Sequence, residues 1–290
     1  MGRRIKNARR ITQVVWALAT NGYITGFVQG HIYNGPLKSV CLPGLNCYSC
    51  PGSFGACPIG ALQAVLGSSD NSFSFYLFGF FVVIGTVFGR FVCGFLCPFG
   101  LIQELLNKIP LLKIKTFRGD RFLRLAKYVI LVVFVILLPL FAVDAAGGGA
   151  PWFCKWICPA GTLEAGIPLV AVNPLLQGAV GFLFKWKVAI LVITILASIV
   201  IYRPFCKYIC PLGAIYALFN RISVFRYSVD ASKCINCDVC AGACSMNIHP
   251  QKETNHPECV RCTDCKAACP TGAISAGFEV KIKRAEGKSD

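Results

Sequence analysis

The residues able to do chemistry in this sequence are its cysteines, eighteen of them in 290 residues. The run CINCDVCAGAC, Cys234 to Cys244, has the spacing C-x2-C-x2-C-x3-C, and it recurs as CVRCTDCKAAC, Cys259 to Cys269, followed by Pro270. Three cysteines on one tight loop reach three corners of an iron–sulfur cube, and the fourth, at a helix, reaches across to the other cube. The spacing therefore assigns Cys234, Cys237, Cys240 and Cys269 to one [4Fe–4S] cluster, and Cys259, Cys262, Cys265 and Cys244 to a second. The bland alternatives are a zinc ribbon or a disulfide knot, but zinc ribbons repeat C-x2-C pairs rather than quartets of this form. Ser245 stands where proline would follow the first quartet; it removes no ligand.

A second phrase is written four times: CGFLCPFGLIQELL at 93–106, CKWICPAGTLEAGI at 154–167, CKYICPLGAIYALF at 206–219, and a looser CPIGALQAVL from Cys57. Proline suits the first turn of a helix, where its missing N–H costs nothing. A cysteine just before it sits at the N-cap, with the free N–H groups and the positive dipole end facing a thiolate. Glycine lets the backbone approach a bulky cofactor. The segments LIQELL and AIYALF are predicted as short helices at the membrane interface.

The elements that must position these cysteines are apolar. The chain is 55% hydrophobic and 14% charged, with a formal net charge of +16, a balance that points to a membrane protein. Four stretches, 11–30, 73–92, 126–143 and 186–202, are predicted to span a hydrocarbon core that needs roughly 20 helical residues. The first is read as a retained anchor rather than a cleaved signal. The N-terminus is basic, and the 93–127 loop carries Lys108, Lys113, Lys115, Arg118, Arg121, Arg124 and Lys127. The loops at 31–72 and 144–180 hold only Lys38 and Lys155. The positive-inside rule then puts the N-terminus and the C-terminal cysteine domain in the cytoplasm. The basic residues read as a topology signal, not as a nucleic-acid surface.

On this topology Cys93, Cys97, Cys206 and Cys210 share the inner side, enough thiolates for a third cluster. The outer side has six cysteines for four positions. By repeat alignment Cys57 matches Cys158, while Ser53 stands opposite Cys154. The expected outer set is Cys50, Cys57, Cys154 and Cys158, with Cys47 as the rival to Cys50, and with Cys41 and Cys47 as a disulfide or exchangeable dithiol. The chain reads as two parallel repeats paired about an axis along the membrane normal. Arg90 is expected to snorkel, or else to offset cluster charge; Glu104 and Glu164 are expected at the interface. His31, at the outer end of the first span, is structural or a quinone contact. His249 and His256 are expected to face solvent. There is no nucleotide-binding loop, and two facing histidines for a haem are lacking.

These residues resemble the polyferredoxin membrane family of NapH/NosR type: four helices, Cys-x3-Cys-Pro after the second and fourth, and a two-cluster domain. The fold expected is mainly α, a four-helix membrane domain over 1–221 with a bacterial ferredoxin-like α+β domain over 222–280 and a tail, 281–290. The resemblance implies electron transfer at a bacterial cytoplasmic membrane, with redox partner proteins on the cytoplasmic and outer sides. The leading reading is an electron conduit between the ferredoxin-type domain and a partner across or within the membrane, an electron-transfer component rather than a stand-alone enzyme. The alternatives are a quinol dehydrogenase subunit, with quinone bound between helices, and an iron–sulfur redox regulator or assembly factor. The extra outer cysteines depart from the NapH pattern and favour the conduit.

Overall fold

The computed structural model describes residues 2–68, 74–115, 117–142, 148–178 and 180–278; the predicted tail at 281–290 lies outside them. The architecture is mainly helical, with one two-stranded antiparallel sheet, Phe225–Val229 against Ile274–Phe278, that clasps the two ends of the C-terminal domain.

Among the described residues, two helical runs are long and apolar enough to cross a membrane, Asp120–Phe141 and Phe182–Val200. They replace the predicted 126–143 and 186–202, starting six and four residues earlier. The first run contains a π-helical stretch, Leu131–Leu137, just before Pro139, where the wider turn absorbs the carbonyl that proline leaves unpaired. The predicted span 73–92 is a shorter apolar helix, Phe75–Phe88, stopped by Gly89 at φ +54, a left-handed backbone that only glycine adopts freely. The predicted span 11–30 is broken. A helix Gly2–Thr20 ends at Asn21-Gly22, and a second short helix covers Ile24–Gln29. Asn-Gly is a turn dipeptide, and it outweighs the apolar run here.

Large apolar side chains on all four of these elements face outward: Leu18, Val28, Phe75, Phe78, Phe122, Val129, Phe182 and Ile193 are each more than half exposed. The polar groups lie inside instead. Arg90, Lys127, Arg203, Lys207 and Arg261 are all at most 1% exposed. A bundle that is apolar outside and charged inside reverses the usual pattern of a water-soluble domain.

The segment expected to form an outer loop, 31–72, folds back among the helices. Tyr216 Oη donates to Pro43 O at 2.9 Å. A Cβ at Gly44 would lie 2.5 Å from Leu96 O, so only glycine lets this segment pass. Leu45 is 2% exposed. The helices Pro98–Leu106 and Pro211–Phe219 also differ from expectation. Most of their residues are buried, and only edge residues such as Leu105 and Leu218 reach the surface. They are internal supports rather than interfacial helices.

Candidate metal centres

Cys57, Cys97, Cys158 and Cys210 each stand at the N-cap of a helix whose first residue is proline. Gly100 N–H donates to Cys97 Sγ at 3.4 Å, and Gly213 N–H to Cys210 Sγ at 3.5 Å. Cys57 and Cys158 hold the same N-cap position without such a bond. Sulfur thus takes the place of a capping oxygen at the two inner turns, and all four helix starts present it with a positive dipole end.

Two of these turns meet in the inner group. Cys93, Cys97, Cys206 and Cys210 are all buried, and the Cys210 thiol is close enough to the other three to feel their charge. Gln103, six residues after Cys97, crosses to the opposite pair: its Nε2 donates to Cys206 Sγ at 3.2 Å and its Oε1 accepts from Phe205 N–H at 3.1 Å. The arginines cross as well. Arg203 donates to Cys93 O, and Arg90 Nη2 donates to Cys206 O at 3.3 Å.

The outer group repeats part of this plan. Gln63, six residues after Cys57, donates through Nε2 to Cys154 Sγ at 3.2 Å, and its Oε1 accepts from Phe153 N–H at 2.9 Å. Cys158, Cys57 and Cys47 are the thiols nearest to Cys154 in effect. The cysteine that the fold brings to Cys57, Cys154 and Cys158 is therefore Cys47. A Cβ built on Gly161 would lie 3.4 Å from Cys47 Sγ, and Glu164 accepts from Cys47 N–H at 2.7 Å. The Cys50 thiol instead points to Asn21, 3.6 Å from its Oδ1. Cys41 pairs its backbone with Ala56 and donates its N–H to Tyr76 Oη at 3.0 Å; all eighteen cysteines are free thiols. Ser53 is fully buried and donates to Gly55 O. Burial pushes the Cys47, Cys57 and Cys158 thiols up to about 12. Alone they would stay protonated at neutral pH; a cationic metal core would hold them as thiolates.

In the C-terminal domain, Cys244, Cys259, Cys262 and Cys265 line one cavity, and Cys234, Cys237, Cys240 and Cys269 line another. Each cavity is thus lined by three cysteines of one run and the fourth of the other. Each loop carries two left-handed residues, Asn236 and Asp238 in the first and Arg261 and Thr263 in the second. Successive turns of this kind direct backbone N–H groups into a shared concavity. Among the described residues, no group of three or more His, Cys, Asp or Glu is placed to hold a single metal ion; the thiols frame a space instead.

The C-terminal domain is seated on the inner group. A Cβ at Gly94, next to Cys93, would lie 2.3 Å from Val260 O, next to Cys259. Arg90 Nη1 donates to Pro257 O at 3.0 Å and to Glu258 Oε2 at 2.8 Å, and Lys127 pairs with the same carboxylate. Arg261 donates to Phe88 O at 2.8 Å and Asn220 O at 2.9 Å. Arg90 is therefore fully buried and does not snorkel, and Lys127 is a core cation rather than a loop charge. Glu104 is likewise not interfacial. It is buried and pairs with Arg9 at 2.9 Å and Arg203 at 3.1 Å. His31 is exposed, beyond the helix Ile24–Gln29. His249 is exposed as expected, while His256 is half-buried and accepts from Glu258 N–H at 3.0 Å.

Sequence reading missed Gln63, Gln103, Arg203 and Glu258. The signals were present in part. Arginine stands three residues before the first cysteine of both inner pairs, and CPIGALQ and CPFGLIQ carry glutamine at one position.

Thiols grouped in this way, with N–H groups aimed at them, define a ferredoxin-type iron–sulfur protein. The family model described as a 4Fe-4S binding domain matches at residues 71–116, 128–167 and 186–229, one match around each Cys-x3-Cys-Pro. The uncharacterized protein MJ0750 of Methanocaldococcus jannaschii is 27% identical over 69% of this chain and 77% of its own length. The regulatory protein NosR of Stutzerimonas stutzeri is 30% identical over 62% of this chain, which spans 23% of that protein. The methylamine utilization ferredoxin-type protein MauN of Paracoccus denitrificans is 26% identical over 57% of this chain and half of its own length. No solved structure matches. The chain belongs to the NosR/NapH-type family of ferredoxin-like electron-transfer proteins.

Proposed function

We propose that the chain is a membrane-seated electron relay in which four groups of four cysteines each hold a [4Fe–4S] cluster. The groups are Cys234, Cys237, Cys240 and Cys269; Cys259, Cys262, Cys265 and Cys244; Cys93, Cys97, Cys206 and Cys210; and Cys47, Cys57, Cys154 and Cys158. The donor chemistry fits: soft thiolates in fours, with N–H groups on the sulfurs, suit an iron–sulfur cube. Bound clusters supply one-electron transfer. The chain's own residues do the rest. Gln63 and Gln103 hold facing halves together, Arg90 and Arg203 cross between them, and Glu258 and Arg261 seat the C-terminal domain against Cys93.

The observation that carries this reading is the order of the groups. The second quartet touches the inner group at Val260 and Gly94. The segment Leu45–Cys47 joins the inner group to the outer one, since the backbone at Gly44 and Leu45 lies against Cys97 while Cys47 lies by Cys158. Outward apolar faces on all four long elements favour a bundle surrounded by lipid. The basic flanks favour a cytoplasmic C-terminal domain that meets a soluble redox partner, with a second partner beyond the outer group.

The test is an iron and sulfide count on anaerobically purified full-length protein, with electron paramagnetic resonance to separate the centres. About sixteen irons are expected, four per cube. Cys97→Ala and Cys210→Ala should each remove the same centre although they lie 113 positions apart (210 − 97). Loss of different centres, or of none, would refute the shared inner group.

A further inference from the structure

We propose that Arg90 and Arg203 form a crossed pair that sets the reduction potential of the inner centre. The proposal rests on the cluster reading of Cys93, Cys97, Cys206 and Cys210. The two arginines occupy the same place in each half, three residues before the first cysteine, and both are 0% exposed. Each serves the opposite half. Arg203 donates to the carbonyl of Cys93, and Arg90 to the carbonyl of Cys206. Each also lies over the glycine of the opposite Cys-Pro-x-Gly turn: a Cβ at Gly100 would sit 3.1 Å from Arg203 Nη1, and one at Gly213 would sit 3.4 Å from Arg90 Nη2. Those glycines are small so that the guanidinium groups fit.

Backbone geometry supports the assignment. Arg203 has φ +47 and ψ +55, the left-handed region that is unfavourable for a residue with a side chain. Such an outlier persists where its surroundings over-determine it. Here the surroundings are Cys93 O and Glu104 on the side chain, and Pro204 on the backbone. Glycine would meet the backbone need at lower cost, so it is the guanidinium that the position requires.

The charge arrangement gives the function. Each arginine has one carboxylate partner, Glu258 for Arg90 and Glu104 for Arg203. These carboxylates are shared with second cations, Lys127 and Arg9. Two carboxylates against four cations leave a positive excess in a buried region. Reduction adds a negative charge to an already anionic thiolate-bound centre, and nearby fixed cations favour it strongly where water is excluded. The crossed arginines thus act as positioning residues that tie the two halves and make the inner centre easier to reduce.

The experiment is a redox titration followed by electron paramagnetic resonance on the full-length protein, with iron counted per chain, in wild type, Arg203→Lys and Arg203→Met. In Arg203→Lys, which keeps the charge and loses the fork, all centres should be retained and the inner potential should fall only slightly. In Arg203→Met the inner reduction equilibrium should weaken at least tenfold, a fall of 59 mV for one electron, with the other centres unmoved. Loss of the inner centre in both variants would mark a structural tie rather than control of potential, and would overturn the proposal. Unchanged inner potentials in both variants would overturn the proposal. So would loss of iron from every centre in Arg203→Lys, the mark of a merely structural arginine. A wild-type chain lacking the inner centre would overturn the cluster reading beneath it, and the iron count tells the two failures apart.

Discussion

Gln63 holds Cys154 across 91 positions, its Nε2 3.2 Å from the sulfur, while its Oε1 accepts the N–H of the residue before, Phe153. One amide side chain thereby fixes both the thiol and the buried backbone of the facing turn. Gln63→Leu should leave the Phe153 N–H without a partner, at a cost of about 1–3 kcal/mol. It should also lower the potential of the outer centre, because a hydrogen bond to sulfur is lost. Thermal inactivation and redox titration read the two effects separately, and an unchanged outer potential would count against a cluster at Cys154.

Cys47 and Cys50 give opposite expectations. Cys47→Ser should remove one centre, about four of about sixteen irons, because its thiol lies with those of Cys57, Cys154 and Cys158. Cys50→Ser should retain all of them, since the Cys50 thiol points to Asn21 Oδ1 at 3.6 Å. Iron counts with the roles reversed would restore Cys50 to the ligand set.

Gly94→Ala is the smallest change that should part the C-terminal domain from the inner group. Its new methyl would meet Val260 O at 2.3 Å, and a backbone carbonyl cannot swing aside. Overpacking of this kind costs about 1–3 kcal/mol. Trypsin cleavage near Arg221 and Arg226 should quicken, and reduction of the inner centre from the C-terminal domain should slow, with all irons retained. Wild-type rates in both assays would show that the contact is not needed.

Glu258→Gln should be among the most destabilising single changes. It leaves Arg90 and Lys127 buried without their shared carboxylate, and breaking a buried pair from one side costs about 3–5 kcal/mol. Glu253→Gln, at an exposed carboxylate beside His256, should cost little. Comparing thermal unfolding of the two variants checks the contrast.

What could be read from the sequence followed range. The C-terminal quartets depend on local spacing, and each of the two cavities there is lined by four of their cysteines. The inner group was legible because two copies of one motif fell on the same side of a charge pattern. The surroundings of Cys47 were not legible, because they are made by Glu164 and Gly161, more than a hundred positions away. The buried cations misled for the same reason. Arg90 and Lys127 look like interfacial charges until Glu258 arrives from the far end of the chain. The first span was overread by hydropathy alone, with Asn21-Gly22 in plain view.

The segment Leu45–Cys47 has an electrical consequence. Leu45 lies against Cys97 and Cys47 lies beside Cys158. Their Cα atoms are two residues apart, at most about 7 Å, against a hydrocarbon core of about 30 Å. For a chain seated in a bilayer, the two anchor points lie within about a quarter of the insulating thickness. A full membrane crossing works against about 2.3 kcal/mol per charge for each 100 mV; charge moving between these points meets only a small part of it. Exchange between the two groups should therefore keep the same rate when a diffusion potential is imposed on sealed vesicles. On the proposed relay, the voltage-sensitive step belongs beyond these two groups.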